Sequence, residues 1–242
     1  MRWAILSDVH GNLEAFQAVI EDLRAERAEK VAFLGDVVGY GADPNACIAL
    51  LEGLTDWVIA GNHDYGAVGL TNIDIFNPLA RSAILWTREE LSEENQAYLR
   101  RLLLSRKDGS ATFVHATPNQ PEEWYYLFDF PEAEEAFLSL SGDLAFVGHS
   151  HRPLVLTKAG SEGVEVMNPE ETNLKPGVRY IINVGSVGQS RDGHPEAAYG
   201  LYDDDAKKFH LKRVPYDVEK AQKKILRAGL PSFLAQRLSR GI

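Results

Sequence analysis

The stretch Trp3-Ala4-Ile5-Leu6-Ser7-Asp8-Val9-His10-Gly11-Asn12 decides the fold of this chain, because an apolar run leads directly into two side chains that bind metals. Residues 3–6 predict a β-strand, and Asn12 predicts the N-cap of a helix with one apolar face. Residues 30–34 predict a second strand, which ends at Gly35-Asp36. This strand–helix–strand order is typical of an α/β fold, in which ligands gather at the carboxyl edge of a parallel sheet.

The same junction of an apolar run and a polar residue recurs further along the chain. Apolar runs at residues 56–60, 111–114 and 144–147 predict three more strands. The polar stretches that follow them are Gly61-Asn62-His63-Asp64, His115 and Gly148-His149-Ser150-His151. If these strands lie parallel, their C-terminal ends share one edge, so we expect the polar side chains to converge into one site.

The rest of the chain predicts one domain, residues 1–242, with a helical and aromatic insertion at about residues 66–141. Further helices are predicted at residues 43–54, 77–105 in two pieces, 131–140, 217–226 and 232–238. Strands joined by turns are predicted at residues 154–157, 164–167, 180–184, 197–202 and 209–214. No internal repeat or low-complexity tract divides the chain.

Composition excludes several classes of function. The 242 residues are 45% hydrophobic and 25% charged, which is typical of a globular protein, and no run of 18 apolar residues predicts a membrane span. The net charge of −10 argues against a broad nucleic-acid-binding surface but not against a phosphorylated substrate, because bound cations would reverse the local field. The single cysteine, Cys47, excludes an intrachain disulfide and predicts a cytoplasmic protein.

The polar stretches share a metal-binding chemistry. Aspartate, imidazole and an asparagine amide, without a thiolate, suit Mn, Fe, Zn, Co or Ni rather than a structural zinc site. Together, Asp8-x-His10, Gly35-Asp36, Gly61-Asn62-His63-Asp64, His115 and Gly148-His149-x-His151 resemble the motifs of the calcineurin-like metallophosphoesterase family, in the family's order. The resemblance is strongest to small bacterial and archaeal members. It implies an α/β fold, a four-layer α-β-β-α sandwich of two mixed β-sheets flanked by helices.

The resemblance also implies a centre of two metal ions, divalent or of mixed valence. The ligands implied for the first ion are Asp8, His10, Asp36 and His151, and those for the second are Asp36, Asn62, His115 and His149. Two ions about 3.5–4 Å apart share a water and lower its pKa, so we expect a metal-bridging hydroxide to attack phosphorus. The expected substrate is a small phosphorylated molecule, either a phosphomonoester or a phosphodiester.

Four further residues receive roles near the reacting phosphate. His63, beside Asn62 in the motif, is expected to be the acid that protonates the leaving group, and Asp64 to orient it. Arg191, in Gly185-Ser186-Val187-Gly188-Gln189-Ser190-Arg191-Asp192, is a candidate phosphate ligand, with pairing to Asp192 as the alternative. The amide of Asn12 is a candidate substrate contact, with helix capping as the alternative.

The second motif departs from the protein phosphatase branch, which carries Gly-Asp-x-x-Asp-Arg-Gly. Gly39 and Tyr40 stand where that branch has Asp and Arg, which argues against a phosphoprotein substrate and leaves His63 without a carboxylate partner. The alternative substrate is a dinucleoside polyphosphate. The aromatic segment at residues 122–130 would then stack on a base; the alternatives are a homodimer patch or burial under the helices at residues 77–105. Two further alternatives for the function of the protein are a catalytically silent metal-binding scaffold and a nuclease.

Overall fold

Two β-sheets form the middle of the molecule. The computed structural model describes residues 1–127 and 130–242. The first sheet has five strands in the order β2-β1-β10-β11-β8, with β1 and β2 parallel. Its strands are β1 (Arg2–Leu6), β2 (Lys30–Phe33), β8 (Glu171–Asn173), β10 (Ala197–Asp203) and β11 (Lys208–Val214). Both strands that precede the first two motifs therefore end at the same edge.

The second sheet has six strands in the order β3-β4-β5-β9-β6-β7. Its strands are β3 (Ser105–Asp108), β4 (Ala111–Val114), β5 (Leu144–Val147), β6 (Leu154–Ala159), β7 (Glu165–Met167) and β9 (Val178–Asn183). The central strands β4, β5 and β9 run parallel, whereas β3, β6 and β7 pair antiparallel. Both sheets are mixed, as predicted.

Alternation along the strands produces the four layers. In β1, Trp3 and Ile5 belong to a cluster that also contains Phe113 and Phe146 of the second sheet, so this face packs sheet on sheet. The opposite face packs on helices, because Ala4 and Leu6 lie in a cluster with side chains of the first helix. Ala145 and Val147 of β5 likewise pack on a helix outside the second sheet. The predicted α-β-β-α sandwich is confirmed.

Helices cover the outer faces of both sheets. Their bounds are α1 (Leu13–Glu26), α2 (Pro44–Leu54), α3 (Asn62–Ala67), α4 (Pro78–Glu90), α5 (Glu93–Arg100), α6 (Phe130–Ser139), α7 (Val218–Arg227) and α8 (Ser232–Gln236). Short 3₁₀ helices lie at Ile73–Ile75, Pro121–Glu123 and Leu238–Arg240. Among the helices in the described ranges, none combines the length and the apolar character that a membrane crossing requires.

Two local predictions were wrong, and two elements were not predicted. Residues 56–60 form two isolated bridges instead of a strand, because Val58 pairs with the first sheet and Ile59 already pairs with Leu103 beside the second. The helix predicted to reach residue 105 ends at Arg100, and residues 105–108 form β3 instead. The strand β8 was not predicted. Helix α3 was also missed, and it places Asn62 and His63 in a helical first turn.

Candidate metal centre

The loops that follow the strands are tied to one another at one edge of the sandwich. The backbone N–H of Asp8 donates to Gly35 O at 3.0 Å, which joins the loops after β1 and β2. The N–H of Gly148 donates to His115 O at 2.8 Å, which joins the loops after β4 and β5. The two sheets are connected here as well, because the N–H of His149 donates to Asp8 Oδ2 at 3.0 Å. The predicted convergence of these loops is present.

Backbone strain is concentrated in the same loops. A positive φ is uncommon for a residue with a side chain, and each such residue costs on the order of 1–3 kcal/mol unless its surroundings impose it. Five of the expected metal ligands adopt it: Asp8 (56°), His10 (51°), Asp36 (59°), His149 (64°) and His151 (59°). In this conformation the backbone turns sharply directly after the strand. The side chains at these turns form the buried groups described next.

Asp8, His10 and His151 form the first group of candidate ligands. Their nearest side-chain N and O atoms all lie within 4.8 Å of one another, and all three residues are buried. Nε2 of His151 lies 3.2 Å from Asp8 Oδ1, and Nε2 of His10 lies 3.5 Å from the same oxygen. The two Nε2 atoms are 3.0 Å apart. Three donor atoms thus surround one point.

The tautomers of these rings follow from their outer hydrogen bonds. Nδ1 of His10 lies 3.0 Å from Val38 O, and Nδ1 of His151 lies 2.6 Å from Gln189 O. A carbonyl oxygen only accepts, so in each neutral ring Nδ1 carries the hydrogen and Nε2 presents a lone pair. Two lone pairs then face each other beside Asp8 Oδ1, a buried oxygen that accepts no hydrogen bond. A cation between these atoms would stabilise all three.

Asp36, His115 and His149 form the second group. Nδ1 of His115 lies 2.7 Å from Leu34 O, so its Nε2 also points inward, 3.4 Å from Asp36 Oδ2 and 3.2 Å from Asn62 Oδ1. Nε2 of His149 is buried without a hydrogen-bond partner. Unpaired buried polar atoms are rare in proteins, and here they belong to a donor set that suits divalent transition metals. The residues therefore fit the implied ions.

Asp36 lies between the two groups. Its Oδ2 is 3.6 Å from Nε2 of His10 in the first group and 3.4 Å from Nε2 of His115 in the second. Its Oδ1 accepts the N–H of His63 at 2.8 Å, which fixes the orientation of the carboxylate. A glycine is required opposite it, because a Cβ on Gly61 would lie 2.0 Å from Asp36 Oδ1. This placement is that of a shared ligand.

The carboxyl groups of Asp8 and Asp36 both have a pKa below the ordinary range. Burial opposes the charge on Asp8, but the neighbouring imidazoles, above all His151, hold the pKa of Asp8 well below its usual value. Burial also opposes the charge on Asp36, and His115 does most to hold the pKa of Asp36 below its ordinary range. Two buried negative charges in one pocket require positive charge nearby.

The pKa values of the imidazoles differ because their neighbours differ. Burial acts to lower the pKa of His115, but the charge of Asp36 outweighs it and raises this pKa to about 9. Burial, with repulsion from His115, lowers the pKa of His149 to about 3. Burial, with repulsion from Arg191, also lowers the pKa of His151 to about 3. His149 and His151 are therefore neutral near pH 7, which is the form that binds a metal.

His63 lies on the open side of the two groups. It makes a third group of neighbouring atoms with His10 and Asp36, which sequence reasoning did not predict. Its ring packs against Tyr40, with 4.5 Å between ring centres, and its buried Nδ1 has no hydrogen-bond partner. Gly39 lies directly against that atom, since a Cβ there would be 2.4 Å from Nδ1. Burial lowers the pKa of His63 well below its usual value.

Asp64 holds the backbone of the neighbouring loops. Its Oδ2 accepts the N–H groups of Asp36 at 2.7 Å and Gly61 at 3.0 Å, and its Oδ1 accepts that of Val38 at 3.3 Å. Burial, with repulsion from Asp36, raises the pKa of Asp64 to about 7. These contacts make Asp64 a positioning residue for the motif loops. No described contact connects its carboxylate to His63.

Asn12 caps α1 and also holds a neighbouring loop. Its Oδ1 accepts the N–H of Ala15 at 3.2 Å, so the predicted cap is confirmed. Its amide donates to Gly188 O at 2.8 Å, within the loop Gly185-Ser186-Val187-Gly188. That loop lies under Asp8: the N–H of Gly188 and the hydroxyl of Ser186 both donate to Asp8 O. The substrate role of Asn12 stays a prediction.

Arg191 extends to the rim of the site. The alternative pairing with Asp192 is wrong, because Asp192 pairs with Arg213 instead. The guanidinium of Arg191 lies 5.7 Å from the ring centre of Tyr40, and its Nη2 donates to Gln189 Oε1 at 2.9 Å. Its Nε is buried without a hydrogen-bond partner. Arg191 therefore has an unused donor near the expected metal ligands.

A cavity of about 310 Å³ opens beside the second group. It is lined by Tyr40, Asn62, His63, Ile75, Phe76, Asn77, Ala80, Glu123, Trp124, Tyr126 and His149. The ring of Tyr126 stacks on that of His149 with 4.0 Å between ring centres, a contact that sequence reasoning missed. The only signal for it was the aromatic composition of the segment.

The aromatic segment is divided between two environments. Trp124 is buried against His115 and Tyr65, with its indole N–H donating to Thr71 Oγ1. Tyr125 and Tyr126 are 47% and 38% exposed. Phe128 and the side chain of Phe130 lie outside the described residues. Both Trp124 and Tyr126 line the cavity, and of these two Tyr126 is partly open to solvent.

This fold, with ligand atoms gathered at one sheet edge, defines a metal-binding α/β protein. The chain belongs to the calcineurin-like phosphoesterase superfamily, whose family model matches residues 1–207. Family membership implies divalent metal ions, and the three groups of neighbouring ligand atoms are consistent with that.

Known relatives agree with this assignment. A protein of Methanocaldococcus jannaschii described as uncharacterised is 41% identical over 98% of this chain and 97% of its own length. The crystal structure of a metallophosphoesterase from Sphaerobacter thermophilus is similar with a TM-score of 0.87 and 39% identity, covering 100% of this chain and 99% of that one. A hypothetical protein from Pyrococcus horikoshii shares the fold at a TM-score of 0.80 and 21% identity, covering 100% and 98%.

Proposed function

We propose that this protein is a dinuclear metal-dependent phosphoesterase that hydrolyses small phosphorylated substrates. The observation that carries the proposal is the pair of facing Nε2 lone pairs of His10 and His151 beside the unpaired oxygen of Asp8. The second group also places two imidazoles, those of His115 and His149, beside a carboxylate, that of Asp36, which lies close to His10 of the first group as well. Two divalent cations held there would polarise the phosphate and activate water at neutral pH.

The chain's own residues perform the remaining tasks. The seven proposed ligands are Asp8, His10, Asp36, Asn62, His115, His149 and His151. His63 lines the cavity beside them, where the leaving group of a bound ester would lie, and we assign it the role of general acid, which requires the anionic substrate to raise the pKa that burial lowers in the free protein. Asp64 orients the loops that carry Asp36 and Gly61. Arg191 and the amide of Asn12 complete the proposed substrate contacts.

The cavity supports a small substrate. Its volume of about 310 Å³ lies at the lower end of the range for small-molecule pockets. The net charge of −10 opposes nucleic acid as a substrate, so a nuclease is the weaker proposal. The aromatic lining by Tyr40, Phe76 and Trp124 favours a dinucleoside polyphosphate as the second candidate, because a base can stack there. A homodimer and a cytoplasmic location also remain proposals.

A catalytic assay with metal analysis tests the proposal. We expect the Mn-loaded protein to hydrolyse p-nitrophenyl phosphate or bis-p-nitrophenyl phosphate and to contain two ions per chain. Asp36→Asn weakens the shared ligand, and the loss of several kcal/mol of stabilisation corresponds to a fall in kcat/KM of about 10³-fold. Full activity in Asp36→Asn, or turnover without metal, would reject the mechanism.

The matched alternative is a catalytically silent scaffold on the same fold. It predicts bound metal without turnover of monoesters, diesters, nucleotides or dinucleotides. Asp108→Asn serves as the comparison for Asp36→Asn, because Asp108 lies in an exposed ion pair with Lys30 at the opposite end of the sandwich. Loss of activity in Asp36→Asn alone would assign the effect to the site.

A further inference from the structure

Two guanidinium groups lie close to the ring of Tyr40 beside the proposed metal centre. The Cζ atom of Arg191 lies 5.7 Å from the centre of this ring, and that of Arg237 lies 6.0 Å from it. The ring of Tyr40 is itself 4.8 Å from that of His10, measured between centres. Two positive charges therefore lie one aromatic ring away from a proposed ligand.

In the part of the chain that the structure describes, neither arginine pairs with an acidic side chain. Within residues 1–127 and 130–242, no ion pair of 4.0 Å or less joins Arg191 or Arg237 to an Asp or Glu. Arg191 donates to the amide oxygen of Gln189, and Nε of Arg237 donates to the main-chain oxygen of Ile242. In a chain of net charge −10, carboxylates are abundant, so two adjacent arginines without one are unusual.

The repulsion between these arginines is an energetic cost in the free protein. Both guanidinium groups lie within about 6 Å of one ring, and burial, followed by the charge of Arg191, lowers the pKa of Arg237 to about 10. Both side chains are half-buried, and the Nε of Arg191 lacks a hydrogen-bond partner. An anion placed between them would remove the repulsion and satisfy the free donor.

We propose that Arg191 and Arg237 bind a second phosphate group of the substrate, beyond the phosphate that is hydrolysed. This assignment rests on the proposed function, and it narrows the substrate class to compounds with two phosphates. Two guanidinium forks match the charge of about −2 and the oxygen geometry of a phosphate better than those of a carboxylate. Arg237 lies outside residues 1–207, so the family match does not assign it a role.

The test compares two inorganic anions that differ by one phosphate. Inorganic phosphate and inorganic pyrophosphate are measured as inhibitors of p-nitrophenyl phosphate hydrolysis by the Mn-loaded protein, and both are also titrated by calorimetry. The variant Arg237→Met keeps the apolar stem of the side chain and removes the charge. Arg240→Met, which changes an exposed arginine three residues further on, is the matched control.

We expect Arg237→Met to raise the inhibition constant of pyrophosphate about 30-fold, the effect of losing a charge-assisted hydrogen bond. The inhibition constant of phosphate should rise by a factor about ten times smaller than that of pyrophosphate. Arg240→Met should change either inhibition constant by less than about twofold. Arg237→Lys should restore part of the affinity, because it returns the charge without the fork. Unfolding curves of each variant verify that the fold is intact.

Two results would overturn the second phosphate site. One is an equal rise of both constants in Arg237→Met, which would mean that Arg237 supports the whole site. The other is no rise in either constant. If the wild-type protein hydrolyses no ester, the proposed function fails, and calorimetry with the same two anions then decides the arginine site by itself.

Discussion

The two ends of the sandwich differ in how their polar groups are satisfied. At the carboxyl edge of the parallel strands, the expected ligands are buried, several have a positive φ, and Asp8 Oδ1 and His149 Nε2 have no hydrogen-bond partner. At the opposite end, Asp203 Oδ1 accepts the N–H groups of Asp205 and Ala206 in an exposed turn. The opposite end is not free of such features, because Lys207 in this turn has a φ of 51° and the nearby Trp57 Nε1 is buried without a hydrogen-bond partner, but five left-handed residues lie together at the carboxyl edge.

This comparison indicates that the features of the site reduce the stability of the folded protein at the carboxyl edge of the parallel strands. A buried unpaired polar atom costs about 1–3 kcal/mol, and each left-handed residue adds a similar amount. The opposite end has ordinary surface interactions, such as the ion pair of Lys30 and Asp108 at 2.9 Å. Unpaired polar atoms and left-handed residues would not be expected to gather at one edge unless that edge binds a ligand. Substitutions at the two ends should therefore differ in their effects on activity and stability.

After that of Asp36→Asn, the largest effect is expected at His63. Replacing it with alanine should lower kcat by about 10²-fold for an alkyl phosphate, whose leaving group needs a proton, and by less for p-nitrophenyl phosphate. The metal content should stay at that of the wild-type protein. Steady-state kinetics on both esters, with metal analysis of each preparation, measure these quantities. Loss of an ion in His63→Ala would instead make His63 a ligand, consistent with its nearness to His10 and Asp36.

Gly39→Ala is the matched variant that keeps the imidazole. The new Cβ would lie 2.4 Å from Nδ1 of His63, and Gly39 has a φ of 93°, so both the ring and the turn must shift. We expect the same direction of effect on the alkyl phosphate as for His63→Ala. Wild-type kinetics in Gly39→Ala would show that the position of this ring is not critical.

A smaller effect is expected at Asp64. The substitution Asp64→Asn keeps one acceptor oxygen but turns an amide group toward a backbone N–H, so at least one hydrogen bond to Asp36, Gly61 or Val38 is lost. Stability should fall by about 1–3 kcal/mol in urea unfolding, and kcat/KM by about 10-fold. An activity loss as large as that of His63→Ala, with unchanged stability, would contradict a positioning role.

The strand ends could be predicted because each carries its own local pattern. A short apolar run followed by Gly-Asp or Gly-Asn is visible in the sequence. The sandwich follows from strands that are apolar on both faces, as in β1, because each face must be covered by another layer. Residues 56–60 carry the same pattern but do not form a strand. Val58 pairs with Phe33, whereas the next residue, Ile59, pairs with Leu103. The local sequence does not indicate which segment a strand will pair with.

The side chains that approach the site from distant segments could not be predicted. Tyr126 stacks on His149, and Arg237 reaches Tyr40 from beyond α8, across sequence separations that carry no periodic signal. The roles of Asp64 and Asn12 depend on hydrogen bonds between loops, which the sequence does not specify. Metal-ligand motifs are local, whereas the surroundings of a substrate are a property of the folded chain.

The smallest effect is expected at the opposite end of the sandwich. Asp108→Asn removes the ion pair with Lys30, in which both side chains are 40% exposed, so stability should fall by no more than about 1 kcal/mol. Lys30 keeps its position over the ring of Trp3, with Nζ 4.6 Å from the ring centre. Urea unfolding and kcat/KM for p-nitrophenyl phosphate should both stay near wild type. A fall in activity comparable to that of Asp64→Asn would mean that the two ends are coupled through the sheets, and the division between them would then fail.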